Sequence, residues 1–150
     1  MATGRGKRNV RKSPLRRKSK NPKAVMKHRA WAELRQFVLI RDNWTCVTCG
    51  KKVEGMDAQG GHYIHGVTNT KLWLDPLNVH CQCKMCNLYL SGNLAKYTLY
   101  LEDKYGRKTV DRLLKLKEDR KKLDADRPTL EWYESVFKKY KKLNSRCSLN

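Results

Sequence analysis

The sequence predicts an α+β protein: a small two-stranded core stapled by a metal, flanked by helices, with a disordered basic arm at its N-terminus. Three observations carry this. Two Cys-x-x-Cys pairs, Cys46/Cys49 and Cys83/Cys86, are separated by 33 residues. Two short runs edged by Gly and Pro, residues 59–66 and 76–83, read as strands. On both sides of that core, apolar residues recur at helical steps.

The elements follow in chain order. Residues 1–24 contain almost no apolar side chains and cannot bury enough surface to fold alone, so they are expected to form the arm. In residues 25–41, Trp31, Leu34, Val38 and Arg41 fall at three- and four-residue steps with Phe37 beside them, which predicts a helix packed on the metal core. Residues 43–50 form a turn around the first cysteine pair, and the two strands follow. From Asn87 the pattern turns helical, with Leu94, Tyr97, Thr98, Leu101 and Tyr105 in one stripe ended near Gly106. A helix over 109–123 is marked by Val110, Leu113, Leu114 and Leu116. Pro128 is placed to open a last helix, with Trp132, Val136, Phe137 and Tyr140 inward. The organisation expected is therefore an arm at 1–24, a helix plus metal-bound core at 25–105, and basic helices at 106–150.

Charge separates these parts. The chain of 150 residues has a formal net charge of +20. Residues 1–30 hold twelve basic and no acidic side chains, residues 31–102 seven and six, and residues 103–150 fifteen and eight. A charge this large points away from an ordinary small-molecule enzyme and toward a polyanion, nucleic acid first and an anionic membrane surface second. No apolar run is long enough to span a membrane. The basic N-terminus lacks the apolar stretch of a signal peptide, so the protein is expected to stay inside the cell. There the arm would add phosphate affinity without sequence specificity.

In a reducing compartment, paired cysteines are metal ligands more often than disulfides. Two residues between thiolates let one turn present both sulfurs to a single ion, and two such pairs complete a tetrahedral Zn2+ site. Cys46, Cys49, Cys83 and Cys86 are the expected ligands. Cys81 offers an alternative ligand and is otherwise a small core residue; Cys147 has no partner. Four sulfurs leave no open position for water, so the zinc is expected to be structural and any chemistry to lie elsewhere.

His62, His65, Asn78, His80 and Asn87 surround the second cysteine pair. Phosphodiester hydrolysis needs a base to activate water and a metal to offset charge on phosphorus and on the leaving oxygen. His62 on the first strand, Asn78 on the second and Asn87 at the start of a helix would supply these. The plainer readings stand beside this one. His62 can be a structural histidine, His65 a surface or phosphate-contacting one, His80 a core hydrogen-bonding residue, and Asn87 a helix cap.

The segments WTCVTCG (44–50), GGHYIHG (60–66) and LNVHCQCKMCNLYLSGNLAKY (77–97), with the helix that follows, resemble the phage NinG (Rap) recombination endonuclease family of the HNH, or ββα-metal, nuclease superfamily. The resemblance covers residues 31–143 and is most specific over Cys83–Asn93. Endonuclease VII-like Holliday junction resolvases are more distantly similar through their Cys-x-x-Cys-Asn. The resemblance implies His62 as general base, Asn78 as the residue that orients the hairpin, and Asn87 as a ligand of a catalytic Mg2+ or Mn2+. Many HNH enzymes carry Asp or His directly before the base as a second ligand. Here that position is Gly61, which leaves His65, His80 and Asp57 as candidates.

On this resemblance the chain is expected to be a DNA endonuclease acting on branched DNA (a Holliday junction or fork) in phage recombination. Its setting would be the cytoplasm of an infected or lysogenic bacterial host. A homodimer and recombination proteins are the expected partners besides DNA, with no membrane. The alternatives are a zinc-ribbon module that binds nucleic acid without cutting, and an HNH nuclease on plain duplex DNA. The lack of an extended sequence-reading element weighs mildly against the last.

Overall fold

The computed structural model describes residues 21–147. The bulk of the expected arm, residues 1–20, lies outside the described residues. Helix α1 (Pro22–Arg41) begins inside the segment expected as the arm, because two start signals coincide there. The Asn21 side chain accepts a hydrogen bond from Lys23 N at 3.0 Å, and Pro22 stands at the first helical position.

Strands β1 (Ala58–His62) and β2 (Val79–Cys83) pair antiparallel, with Ala58 opposite Cys83, Gly60 opposite Cys81 and His62 opposite Val79. They are shorter than the expected 59–66 and 76–83. Past His62 one backbone bond persists, Tyr63 N to Asn78 O at 2.9 Å. The Asn78 side chain then takes over. Its Oδ1 accepts from Ile64 N at 2.7 Å, and its Nδ2 donates to Ile64 O at 3.3 Å and Leu72 O at 3.1 Å. A side-chain amide thus ends the ladder and holds both sides of the connecting loop.

The outer edge of β2 is covered by the end of α1. Asp42 accepts from Cys81 N at 2.8 Å, and Arg41 donates to Val79 O at 2.9 Å and Pro76 O at 2.7 Å. Val47 N adds a bond to Cys81 O at 2.9 Å. Side chains of α1 and its cap and the first cysteine turn thus occupy this edge at Val79 and Cys81.

After β2 the chain makes a π-helical turn (Met85–Tyr89), so Asn87 lies in this turn and not at the start of a regular helix. Gly92 and Asn93, at φ 88° and 49°, break the path before α2 (Leu94–Tyr105). The single helix expected over 109–123 is two, α3 (Arg107–Glu118) and α4 (Arg120–Ala125). Asp119 leaves the helical region at ψ 73° and caps α4 by accepting from Lys122 N at 2.9 Å. Helix α5 (Leu130–Cys147) starts two residues after Pro128, with Thr129 Oγ1 accepting from Trp132 N at 3.2 Å.

Three apolar clusters hold these parts. Ala30, Leu34 and Val38 of α1 pack on Tyr133 and Tyr140 of α5 together with Leu74 and Val79. Ile64, Leu72, Tyr97, Leu101 and Leu113 join the loop to α2 and α3. Leu39, Val53, Ala58 and Cys81 pack with Cys46, Cys83 and Cys86. The aromatic residues of α5 are therefore used in packing on α1. Among the described residues, no helix is long and apolar enough to cross a membrane.

Candidate metal centre and the hairpin beside it

The four cysteines of the two pairs converge: the Sγ atoms of Cys46, Cys49, Cys83 and Cys86 all lie within 4.8 Å of one another. Cys49 Sγ and Cys83 Sγ are 3.8 Å apart. A tetrahedron with Zn–S bonds of ~2.3 Å has an edge of about 3.8 Å, so the spacing suits a metal such as zinc. Local donors favour the thiolate of Cys46, whereas burial raises Cys49 and Cys83. Burial opposes ionisation of Cys46, yet hydrogen bonds from the Thr48 hydroxyl, 3.2 Å away, and from backbone amides bring it down to about 6. Cys86 N points at Cys83 Sγ, 3.4 Å, and Asn93 Nδ2 at Cys86 Sγ, 3.6 Å. Cys81 stands outside the cluster: it is fully buried and packs with Leu39, Val53 and Ala58, so it is the core residue of the two readings.

Alternation along the strands gives the hairpin two faces. Gly60, His62, Val79 and Cys81 share the face toward α1. Gln59, Gly61, His80 and Gln82 share the face toward the π turn and α2.

On the first face His62 lies between two tryptophans. Its ring stacks on Trp31 at 5.0 Å between centroids and on Trp73 at 6.0 Å. Nε2 donates to the Trp73 carbonyl at 2.9 Å; a carbonyl accepts only, so this nitrogen carries the hydrogen. In the neutral ring Nδ1 therefore holds the lone pair. No protein group bonds to Nδ1 among the described residues, and it is not sealed from solvent. Burial lowers the pKa of His62 below its ordinary value, and the charge of His65 acts the same way, against the Trp73 carbonyl. Lys27 sits 4.7 Å over the Trp73 ring, so a cation borders this shelf.

His80, on the second face, is fully buried and fully engaged. Tyr97 donates its hydroxyl to Gly61 O at 2.9 Å, so its oxygen accepts from His80 Nδ1–H at 3.0 Å. Tyr105 then donates to His80 Nε2 at 3.3 Å. Both ring nitrogens are occupied, and desolvation, with Arg41 and Lys104 nearby, drives its pKa to about 2. Of its two sequence readings, core hydrogen bonding describes its place; no lone pair is left for an ion. Asp57 likewise pairs with Lys51 at 2.8 Å and accepts from Lys84 N at 2.9 Å. His65 is exposed beside Gly92.

Asn87 reaches the second face by donating Nδ2 to Gln59 Oε1 at 2.7 Å, and its Oδ1 has no hydrogen-bond partner among the described residues. The structure thus brings Asn78 to the hairpin end beside His62, and attaches Asn87 and His62 to opposite faces. Sequence reasoning passed over Trp73, Gln59 and Gln82. The aromatic shelf had a partial signal in Trp31; the glutamines had none.

A family model described as Bacteriophage Lambda NinG protein matches residues 2–145. Protein ninG of Escherichia phage 933W is 29% identical over 103 residues, covering 68% of this chain and 51% of that protein. Protein ninG of Salmonella phage P22 is 29% identical over 103 residues, 68% of this chain and 50% of the relative. Protein ninG of Escherichia phage lambda is 28% identical over the same shares. The chain spans about half the length of these curated relatives. No solved structure matches it. The match over nearly the whole chain makes it a member of the NinG family.

Proposed function

We propose that this chain is a metal-dependent HNH-type endodeoxyribonuclease that hydrolyses phosphodiester bonds at branched DNA during phage recombination. It would act in the host cytoplasm, as a homodimer that sets two sites on opposed strands. One observation carries the reading: His62 is held by Trp31, Trp73 and a carbonyl so that its Nδ1 lone pair stays open. A base must be neutral at the working pH and reach its proton directly or through one water, and both conditions suit this ring. His62 Nδ1 takes a proton from water as the oxygen attacks phosphorus. Asn78 keeps the loop that carries the Trp73 carbonyl in place, and so the ring's tautomer.

The β1–β2 hairpin followed by the helical turn at Met85–Tyr89 supports a ββα-metal core. Asn87 Oδ1, an amide oxygen, suits a hard ion such as Mg2+ or Mn2+. Bound there, on the face of the hairpin opposite His62, such an ion would offset charge on the leaving oxygen, while His62 serves the attacking water. A zinc ion on the four cysteines would be structural, because the shell is closed. The net charge of +20 supports DNA as the partner.

The test is cleavage, with Mg2+ or Mn2+, of an end-labelled four-way junction, a Y-fork and a linear duplex of matched sequence. Paired cuts near the branch are expected. They should fall by about 10²- to 10⁴-fold in His62→Ala, with DNA binding and zinc content unchanged. Tight binding to all three without cutting would make the chain a zinc-ribbon binding module. Equal cutting of the linear duplex would remove the preference for branches.

A further inference from the structure

The second face of the hairpin contains an oxygen with nothing to bond. Gln82 is fully buried, and its Oε1 has no hydrogen-bond partner among the described residues. Turning the amide over does not help. Nε2 donates to Gly92 O at 2.8 Å and to Thr48 Oγ1 at 3.3 Å, and the Gly92 carbonyl can only accept. The orientation is therefore determined, and Oε1 is held toward Gly61. A buried acceptor left in this state is expensive and asks for an unseen donor or ion.

The place where Oε1 sits is informative. A Cβ at Gly61 would fall on Gln82 Oε1, with Gln82 Cδ and Cγ next nearest. Gln82 thus fills the space of the side chain that position 61 lacks, directly before His62 in the chain. Asn87 reaches the same face through Gln59, which stands opposite Gln82 in the register, and it too has an unpartnered amide oxygen. His80, on this face as well, has no free lone pair. Gln59 Oε1 already accepts from Asn87, so the amide oxygens on this face with no hydrogen bond among the described residues are those of Gln82 and Asn87.

We propose that Gln82 Oε1, lying in the space vacated at Gly61, is a direct ligand of a divalent cation that Asn87 Oδ1 also binds. This rests on the nuclease reading above and supplies the second protein ligand that reading lacks. Two neutral amides bind a hard ion weakly, so DNA phosphate would complete the shell.

Mn2+ binding to the full-length, zinc-loaded protein, followed by the EPR signal of free Mn2+, tests it without relying on activity. The wild-type protein should take up one Mn2+ beyond its zinc. Gln82→Met keeps the volume, removes the oxygen and should weaken binding by about tenfold or more. Gly61→Asp alone should not tighten binding, because the carboxylate collides with Gln82. Gly61→Asp combined with Gln82→Ala should restore it, since the new carboxylate enters the emptied space; a folded double variant that takes up no Mn2+ would overturn the assignment. The double variant also serves if Gln82→Met fails to fold.

Equal Mn2+ affinity in Gln82→Met, or no Mn2+ site in the wild type, would overturn the assignment. Junction cleavage by the same preparations separates the two readings. A wild type that cuts while Gln82→Met binds Mn2+ normally removes Gln82 alone. A wild type that neither cuts nor binds Mn2+ removes both.

Discussion

The two faces of the hairpin come from the same two five-residue strands and differ in how completely their polar groups are used. Toward α1, small and apolar residues let tryptophan close on His62, and one nitrogen of the ring remains open. Toward α2, a chain of hydrogen bonds runs from Tyr105 through His80 and Tyr97 to the Gly61 carbonyl, and beside it one glutamine oxygen has no partner. Two histidines on adjacent rungs of the pairing, His62 opposite Val79 and His80 opposite Gly61, thus have different capacities. Exposure does not separate them so much as hydrogen bonding: both are largely withdrawn from water, and only one has a free lone pair.

The largest expected effect breaks both faces at once. The cysteines tie the turn before β1 to the end of β2, where otherwise single side-chain bonds act, from Arg35 to Ala58 O and from Lys84 N to Asp57. In Cys46→Ser the site loses one of its four sulfurs. Structural zinc in small domains contributes on the order of 10 kcal/mol at neutral pH, so loss of the metal and of the folded hairpin is expected together. Metal analysis and circular dichroism of the same sample would show it. A folded protein without metal would mean that α1, α5 and the Arg41–Asp42 clasp hold the hairpin alone.

A smaller effect isolates the second face. Tyr97→Phe keeps the ring in its cluster but deletes the hydroxyl that accepts from His80 and donates to Gly61. His80 Nδ1–H is then buried without an acceptor, at a cost of about 1–3 kcal/mol. Urea unfolding should show a lower midpoint with an unchanged slope. An unchanged midpoint would mean that water enters and replaces the hydroxyl.

How much of this was legible in the sequence depends on the range over which each signal acts. The cysteine pairs were legible because a two-residue spacing is local and chemically narrow, and the structure gathers those four and leaves Cys81 out. The helices were legible from periodicity. Their ends were not where a cap overrides the stripe, as at Asp119 and Thr129. The partnership of α1 with α5 joins distant parts of the chain, and amphipathicity alone does not name a partner. Gln82 was invisible for a deeper reason. A glutamine in a strand has no spacing signature, and its meaning arises only when the register lays its amide across Gly61. The sequence left His80 between an active-site role and core hydrogen bonding, and the three tyrosines around it, Tyr97, Tyr100 and Tyr105, decide for the core.

The smallest expected effect concerns the first face and is read from His62 itself. Burial favours the neutral ring and holds its pKa below the ordinary imidazole value. The sign follows from the lowered value: the fold gains stability from neutral His62 above the unfolded pKa, and loses it as pH falls through the folded one. Trp31→Ala opens the shelf on one side while leaving the Trp73 carbonyl bond. Water then reaches the ring, the charged form becomes easier to make, and the pKa should rise toward its ordinary value. A proton-NMR titration of the His62 ring measures this directly, and under the proposed function the acid limb of cleavage should move to higher pH with it. A shift of the ring without a shift of cleavage would separate His62 from the base. A ring that does not shift would mean that Trp73 and the loop, and not the stack on α1, keep water from this face.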